Sequence, residues 1–174
     1  MRRLMLLRHA KTERAEPGEP DRERKLTKRG RHDVPVIATY MARHKLIPEL
    51  AIVSPARRAQ ETWVLLASAF AKAPRVINDE RIYNASADAI IAVIAASGTA
   101  RSLLVVGHNP GLHDAAVRLI GTGDVDLRGH VTEKLPTCGL IVIDLPFDEW
   151  SRLHHHAGRL ERFVTPRLIA AATD

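Results

Sequence analysis

The stretch Leu-Leu-Val-Val-Gly-His-Asn-Pro-Gly at residues 103–111 indicates most directly how this chain folds. Four consecutive apolar residues are followed at once by a polar turn that contains glycine and proline. Such a short, uninterrupted apolar run is typical of a parallel strand that is buried on both faces of a sheet. The same pattern recurs at Leu4–Leu7 and at Leu50–Val53. The sequence therefore predicts three buried strands, each ending in a polar turn.

Amphipathic stretches separate these strands. Residues 27–46, 56–71 and 86–97 carry apolar side chains at helical spacing, and the last begins with Ser86, a good N-cap. Pro35 leaves two starts open for the first helix: it begins at Thr27 and kinks, or it begins near residue 33 with the proline in its first turn. Strands that alternate with helices predict an α/β fold with a mostly parallel sheet.

The C-terminal half adds further predicted elements. Arg75–Asn78 is a weaker strand candidate and Gly139–Leu145 a strong one. We expect Trp150–His155 to pair with the latter as an antiparallel neighbour, with residues 146–149 as the turn. Residues 166–172 predict a short terminal helix that docks on the domain.

Length and composition limit the class of protein. The chain has 174 residues, 45% hydrophobic and 26% charged, which fits one globular domain over residues 1–174 with a substantial core. Cys138 is the only cysteine, which excludes an internal disulfide and a cysteine-based zinc site. The apolar runs are too short for a signal-peptide core or a membrane span. We therefore expect a cytoplasmic protein without membrane association.

The formal net charge of +6 is confined to one part of the chain. Residues 1–32 contain 11 Lys and Arg against five Asp and Glu, whereas the remaining residues contain 15 of each. Within this segment, residues 13–25 are rich in proline, glycine and charge, which predicts a surface loop. The basic excess indicates an anionic partner. Nucleic acid is disfavoured, because aromatic residues make up only 4% and no stacking motif is present.

Cationic side chains follow all three predicted parallel strands. Arg8 and His9 follow the first, Arg57 and Arg58 lie just beyond the second, and His108 follows the third. Since ligands of open α/β sheets bind beyond the carboxyl ends of the strands, these side chains should converge on one pocket. Arginine pairs with phosphate oxygens, and a neutral imidazole can act as a nucleophile. Ser54 and Asn109, each followed by proline, predict helix N-caps that would add N–H donors for an anion.

These residues match a known family in their order along the chain. Leu7-Arg8-His9-Ala10 resembles the opening Arg-His motif of the histidine phosphatase superfamily. The segment from Ser54 to Thr62 resembles its second motif, Ser-x-x-x-Arg-Ala-x-x-Thr, and residues 106–111 resemble the segment that bears the second catalytic histidine. Leu26-Thr27-x-x-Gly30, residues 80–83, residues 86–88 and Leu135-Pro-Thr137 resemble small bacterial phosphohistidine phosphatases of the SixA type. The resemblance implies a three-layer α/β/α, phosphoglycerate-mutase-like domain, a mostly parallel sheet with an antiparallel edge.

The resemblance also implies roles for individual residues. His9 would be the nucleophile that takes up the phosphoryl group, while Arg8, Arg58 and His108 would hold its oxygens. Thr12 could add a hydroxyl to the phosphate. Because the two arginines and His108 would neutralise the phosphoryl charge, neither a metal ion nor another cofactor is expected.

The general acid is less well defined than the other roles. Many relatives place a glutamate in the region of Glu80, so Glu80 is the expected acid, and its neighbour Asp79 is the alternative. Phosphohistidine would need a weaker acid than an ester, because imidazole departs more readily than an alkoxide. About 28 residues separate Glu80 from His108, which leaves little room for a lid over the pocket.

Three functions are compatible with these features. We expect a metal-independent phosphatase that acts on phosphohistidine in proteins such as phosphotransfer domains or phosphocarriers. The alternatives are a phosphatase for small phosphate esters and a phosphoprotein-binding module without turnover. The basic loop of residues 11–32 is the candidate docking rim for an acidic phosphoprotein. The run His154–His156 is interpreted as an exposed strand end and not as a metal site.

Overall fold

The computed structural model describes residues 1–173, in which seven strands form one sheet with helices on both faces. Asp174, the last residue of the predicted domain, lies outside the described residues. The strands are β1 (Arg2–Arg8), β2 (Leu50–Val53), β3 (Arg75–Asn78), β4 (Ser102–Gly107), β5 (Ile120–Gly123), β6 (Leu140–Leu145) and β7 (Gly158–Val164). The helices are α1 (Lys28–Arg43), α2 (Arg57–Ala67), α3 (Ala87–Ala95), α4 (Gly111–Leu119), α5 (Val125–Glu133) and α6 (Pro166–Thr173).

The strand order in the sheet is β3-β2-β4-β1-β6-β7-β5. Strands β1, β2, β3 and β4 are parallel to one another, and β5 is parallel to β7. Strand β6 runs antiparallel to both of its neighbours, β1 and β7. The predicted mostly parallel sheet with an antiparallel portion is therefore confirmed. The order also places the carboxyl ends of β1, β2 and β4 side by side.

Two cores, one on each face of the sheet, explain the apolar runs. Alternate residues of β1 point to opposite faces: Leu4 and Leu6 pack with α3 and α4, and Met5 and Leu7 pack with α1 and α2. All four side chains are fully buried. This is why Leu4–Leu7 of β1 are all apolar and do not alternate with polar residues, as they would in a sheet with one solvated face.

The helix starts agree only in part with the sequence. Thr27 caps α1 by accepting a hydrogen bond from the Gly30 N–H, so Pro35 lies inside the helix, and Ser86 caps α3 as predicted. The predicted caps at Ser54 and Asn109 are wrong, since α2 begins at Arg57 and α4 at Gly111.

The antiparallel partner of β6 also differs from the prediction. Residues 150–152 form a 3₁₀ turn, and the paired strand is β7. Trp150 is buried and its indole N–H donates to the carbonyl of Ala100 at 2.7 Å, which holds this segment against the sheet's end and away from the β6 ladder. No helix in the part of the chain that the structure describes has the length and apolarity needed to cross a bilayer.

Candidate active site

The carboxyl ends of β1, β2 and β4 surround a small open cavity of about 320 Å³. We call it the strand-end cavity. Its lining residues come from these strand ends, from the loop after β1 and from the segments before α3 and β6: Arg8, His9, Lys11, Thr12, Asp21, Arg24, Arg58, Asn84, His108, Asn109 and Thr137. All four residues expected to bind the phosphoryl group are thus brought together in one cavity.

His9 is held in a single orientation at the end of β1. Its backbone N–H donates to Gly107 at the end of β4, and its carbonyl accepts from the N–H of Cys138. The side-chain Nδ1 lies 2.8 Å from the carbonyl of Ala10. Because a carbonyl only accepts, Nδ1 carries the proton and Nε2 keeps its lone pair. The ring therefore has the tautomer that a nucleophile requires.

Burial keeps both histidines of the cavity neutral. His9 is 7% exposed and His108 is 2% exposed. Burial lowers the pKa of His9 to about 4, with a smaller contribution from the nearby positive charges of Arg58 and Arg8. Burial lowers the pKa of His108 to about 3, with smaller contributions from the charge that His9 acquires once it is protonated and from the charge of Arg58. Both imidazoles are unprotonated at neutral pH.

Ser54 orients His108 instead of capping a helix. Its Oγ lies 2.6 Å from Nε2 of His108, and it also accepts a hydrogen bond from the N–H of Ala56. Because Nε2 of His108 is the only acceptor within reach of the Ser54 hydroxyl among the described residues, Ser54 donates to it, and the proton of His108 resides on Nδ1, which is buried and has no partner within residues 1–173. His108 thus offers a free N–H for an anionic oxygen.

Arg8 is anchored at one end and unpaired at the other. Nη1 donates to the carbonyl of Leu135 at 3.2 Å, whereas the buried Nε has no partner among the described residues. Burial lowers the pKa of Arg8 below its ordinary value. Asn109 donates to the same Leu135 carbonyl at 2.8 Å and leaves its buried Oδ1 unpaired. The Leu135-Pro-Thr segment therefore positions the ends of β1 and β4.

Asp21 occupies the opposite wall of the cavity and pairs with Arg58. The guanidinium of Arg58 donates to the backbone carbonyl of Asp21 at 3.0 Å and to its Oδ2 at 3.1 Å. The Tyr83 hydroxyl donates to the same Oδ2 at 2.5 Å, and Arg24 donates to Oδ1 at 3.1 Å. These hydrogen bonds, that of Tyr83 foremost, hold the pKa of Asp21 well below its ordinary value. The cavity therefore contains an ionised carboxylate.

Thr62 connects the first two motifs. Its Oγ1 donates to the carbonyl of Arg58 at 2.7 Å and accepts from the N–H of Ala10 at 3.1 Å. One buried hydroxyl thus ties the segment after His9 to helix α2, which carries Arg58. This explains the spacing of arginine and threonine in the second motif.

Two glycines permit close packing of loops around the cavity. A Cβ on Gly30 would lie 2.3 Å from the carbonyl oxygen of Lys11, and one on Gly111 would lie 1.9 Å from that of Ala85. Both distances are far below van der Waals contact. These glycines therefore allow α1 and α4 to approach the backbone beside the site.

The structure does not place the expected general acid in the cavity. Glu80 is exposed and its carboxylate binds Arg22, while Asp79 binds Arg81. Neither lines the strand-end cavity, and the carboxylate that does is Asp21. Thr12 lines the cavity as expected, although its hydroxyl accepts a hydrogen bond from Arg24 at 2.9 Å.

Sequence reasoning missed Asp21, Arg24 and Tyr83. Asp21 is one of several acidic residues in a charged loop, and its spacing does not distinguish it from its neighbours. Tyr83 lies in the matched segment of residues 80–83, in which Glu80 is the residue expected to act as the acid. The Tyr83 ring packs edge-on against His108 at 5.5 Å between centroids and under the guanidinium of Arg22 at 4.3 Å. Tyr83 thus supports two residues of the cavity, His108 through its ring and Asp21 through its hydroxyl.

The cavity fits a tetrahedral anion. Arg8 and His108 present buried N–H groups without partners, and Arg58 and Lys11 add positive charge. Unpaired buried donors are rare in native proteins because they cost stability unless a ligand satisfies them. Within residues 1–173, no group of three or more His, Cys, Asp or Glu side chains is arranged to hold a metal ion.

Comparison with known proteins supports this interpretation. Residues 4–84 match the family model of the histidine phosphatase superfamily, branch 1. The proposed phosphohistidine phosphatase SixA of Agrobacterium tumefaciens superimposes with a TM-score of 0.81 at 31% identity, and the match covers 95% of this chain and 98% of that one. No curated protein sequence matches significantly.

More distant structures share the fold. A proposed phosphohistidine phosphatase SixA from Nakamurella multipartitia has a TM-score of 0.82 at 21% identity, with 95% of this chain and 96% of that chain covered. A protein histidine phosphatase SixA complexed with tungstate has a TM-score of 0.75 at 17% identity, covering 95% and 97%. On the strength of the family model and the 31% identical Agrobacterium structure, the chain belongs to the histidine phosphatase superfamily and is a phosphatase of the SixA type.

Proposed function

We propose that this phosphatase removes the phosphoryl group from phosphohistidine in proteins, in the cytoplasm and without a metal ion. The observation that carries the proposal is the pairing of a neutral, oriented His9 with a cavity whose only lining carboxylate among the described residues is ionised. The buried, single Cys138 is compatible with a reducing compartment.

The first step transfers the phosphoryl group to the enzyme. Nε2 of His9 forms a bond to phosphorus while the P–N bond to the substrate imidazole breaks. The leaving imidazole keeps the electron pair of that bond and takes a proton from solvent. Arg8, Arg58 and the Nδ1–H of His108 stabilise the charge on the phosphoryl oxygens as they pass through the transition state.

The second step restores the enzyme. Water attacks the phosphorus of phosphorylated His9, the P–Nε2 bond breaks, and inorganic phosphate leaves with the hydroxyl of that water. The water's other proton goes to solvent, directly or through the phosphate. His9 returns to the neutral tautomer that the Ala10 carbonyl selects.

The nature of the carboxylate favours phosphohistidine over alkyl esters. An alkoxide leaving group needs a proton donor, but Asp21 is held ionised by Tyr83 and the two arginines, and Glu80 lies outside the cavity. Imidazole is a much better leaving group and can depart without a protein acid. The open cavity also gives access to a phosphate that is displayed on a protein surface.

A turnover assay with two substrates tests the proposal. The full chain would be given a protein phosphorylated on histidine and, separately, an aryl phosphate, each with and without a chelator. We expect chelator-resistant turnover, preference for the phosphoprotein, and loss of both activities in His9→Ala, with exposed His155→Ala as the matched control.

Each outcome bears on a different part of the proposal. Full activity of His9→Ala would refute the covalent mechanism. Loss of activity with chelator would refute metal independence. Preference for the aryl phosphate would mean that the enzyme acts on small phosphate esters and not on phosphohistidine in proteins.

A further inference from the structure

A second groove opens next to the strand-end cavity. It has a volume of about 540 Å³ and lies between α1, α5, the segment before β6, the end of β7 and α6. Lys11 and Thr137 line both the groove and the cavity. The groove therefore adjoins the cavity, within reach of a protein whose phosphate enters it.

The rim of this groove is positively charged. Its cations are Lys11, Arg29, Lys134 and Arg167, all of them exposed. No described carboxylate forms an ion pair with the two lysines or with Arg167. These charges come from four separate segments, so their convergence is a property of the fold.

Negative charge in the groove is smaller. Asp33 and Glu133 also line it, and Asp33 is paired loosely with Arg29 at 3.9 Å. Four cations against two carboxylates leave a net positive rim. In contrast, two arginines of the basic loop are paired within the protein: Arg22 binds Glu80, and Arg24 binds Asp21 and Thr12.

The floor of the groove is apolar. Phe163, Pro136 and Pro166 lie along it, and Leu168, which is 48% exposed, stands at its edge. An exposed leucine beside a basic rim suits a partner that presents an apolar side chain flanked by carboxylates.

We propose that this groove docks the acidic surface of the phosphohistidine-bearing protein, with carboxylates on the rim and one apolar side chain on the floor, while the phosphohistidine enters the strand-end cavity. The inference rests on the proposed function, since it assumes a protein substrate. It moves the docking surface from the basic loop of residues 11–32 to the groove, of which only Lys11 and Arg29 belong to that segment.

Charge reversal tests the rim. The variant Lys134→Glu/Arg167→Glu alters two groove cations that are outside the catalytic cavity. Its matched control is Lys72→Glu/Arg75→Glu, two exposed cations just before and at the start of the edge strand β3, five positions from β7 in the sheet. The substrates are a phosphotransfer domain with an acidic surface, phosphorylated on histidine, and an aryl phosphate.

We expect the groove variant to raise KM for the phosphoprotein by about tenfold at low salt and the control by much less, with the aryl phosphate unaffected in both. Salt should reduce the difference between the two variants. Leu168→Ser should raise KM for the phosphoprotein at all salt concentrations, because it removes an apolar contact.

The contrary results are equally specific. Equal effects of both charge variants would mean that bulk charge, and not the groove, attracts the partner. An equal loss with the aryl phosphate would mean that the change reaches the catalytic cavity.

If the wild type does not turn over the phosphoprotein, the proposed function fails, and titration of the unphosphorylated domain into both variants still tests the groove. Tighter binding of a random oligonucleotide than of the domain would assign the groove to nucleic acid and overturn the proposal.

Discussion

Acidification should destabilise this protein through the two histidines of its active site. His9 and His108 are buried and neutral, and their pKa values are lowered from 6.5 to about 4 and about 3. In the unfolded chain both imidazoles regain ordinary pKa values. Below pH 6.5 the unfolded state therefore binds protons that the native state does not bind. Linkage then requires the free energy of unfolding to fall as the pH falls.

The size of the effect follows from these pKa values. Between about pH 8 and about pH 5, a histidine with a native pKa near 4 loses about 2 kcal/mol of stability, and one with a native pKa near 3 loses about the same. Together they remove about 4 kcal/mol, a large part of the 5–15 kcal/mol that is typical of a domain. The loss for each histidine begins near its unfolded pKa and levels off below its native pKa. Asp21 remains ionised in this range and does not contribute.

Urea unfolding at the two pH values measures the loss. Fluorescence of the buried Trp63 and Trp150 reports the transition. The readout is the difference in unfolding free energy between the two pH values, so a change in overall stability cancels. We expect His9→Gln and His108→Gln each to reduce this difference by about 2 kcal/mol.

A third variant controls for the removal of one imidazole. His155 is exposed, so His155→Gln should leave the wild-type difference unchanged. If His9→Gln and His108→Gln retain the full wild-type difference, the active-site imidazoles are not the groups that titrate. The reasoning that makes His9 a neutral nucleophile through burial would then be refuted.

Three further substitutions test the cavity. Ser54→Ala should lower kcat/KM for an aryl phosphate by about tenfold, since His108 loses the hydroxyl that fixes its tautomer; unchanged kcat/KM would contradict that role. Asp21→Asn should tighten competitive inhibition by inorganic phosphate by about tenfold, because it removes a negative charge beside Arg58; weaker inhibition would mean that the carboxylate matters more as an anchor for Arg58. Glu80→Gln should change the hydrolysis of ester and phosphoprotein by less than about twofold, and a selective loss on the ester would restore it as the general acid.

The strands and the main site residues could be predicted because they depend on local patterns. The part of a strand that is buried on both faces must be apolar, as Leu4–Leu7 of β1 and residues 103–106 of β4 are, and its end must be polar where it reaches solvent. Parallel strands then bring their carboxyl ends to one edge. Arg8, His9 and His108 thus followed from strand ends alone, and Arg58 followed from the motif.

Other features depend on contacts that are distant in sequence. Ser54 has the local pattern of an N-cap, but its hydroxyl is used by His108, 54 residues away. The segment that starts at Trp150 has the pattern of a strand, but the Trp150 indole donates a hydrogen bond to the Ala100 carbonyl. The strand that pairs with β6 therefore begins further along the chain, at Gly158 in β7. Local propensity gives way wherever a buried polar group gains a hydrogen bond that the local structure cannot supply.

The distribution of charge shows the same dependence on tertiary contacts. The whole net charge lies in residues 1–32, which suggested a basic surface there. In the folded protein, part of that charge is paired internally, since Arg22 binds Glu80 and Arg24 binds Asp21. The Asp21 carboxylate in turn accepts a hydrogen bond from Arg58. Of the four cations on the groove rim, two, Lys134 and Arg167, come from the electroneutral remainder of the chain. A segment's net charge therefore locates an anion-binding surface only after the charges paired within the fold have been subtracted.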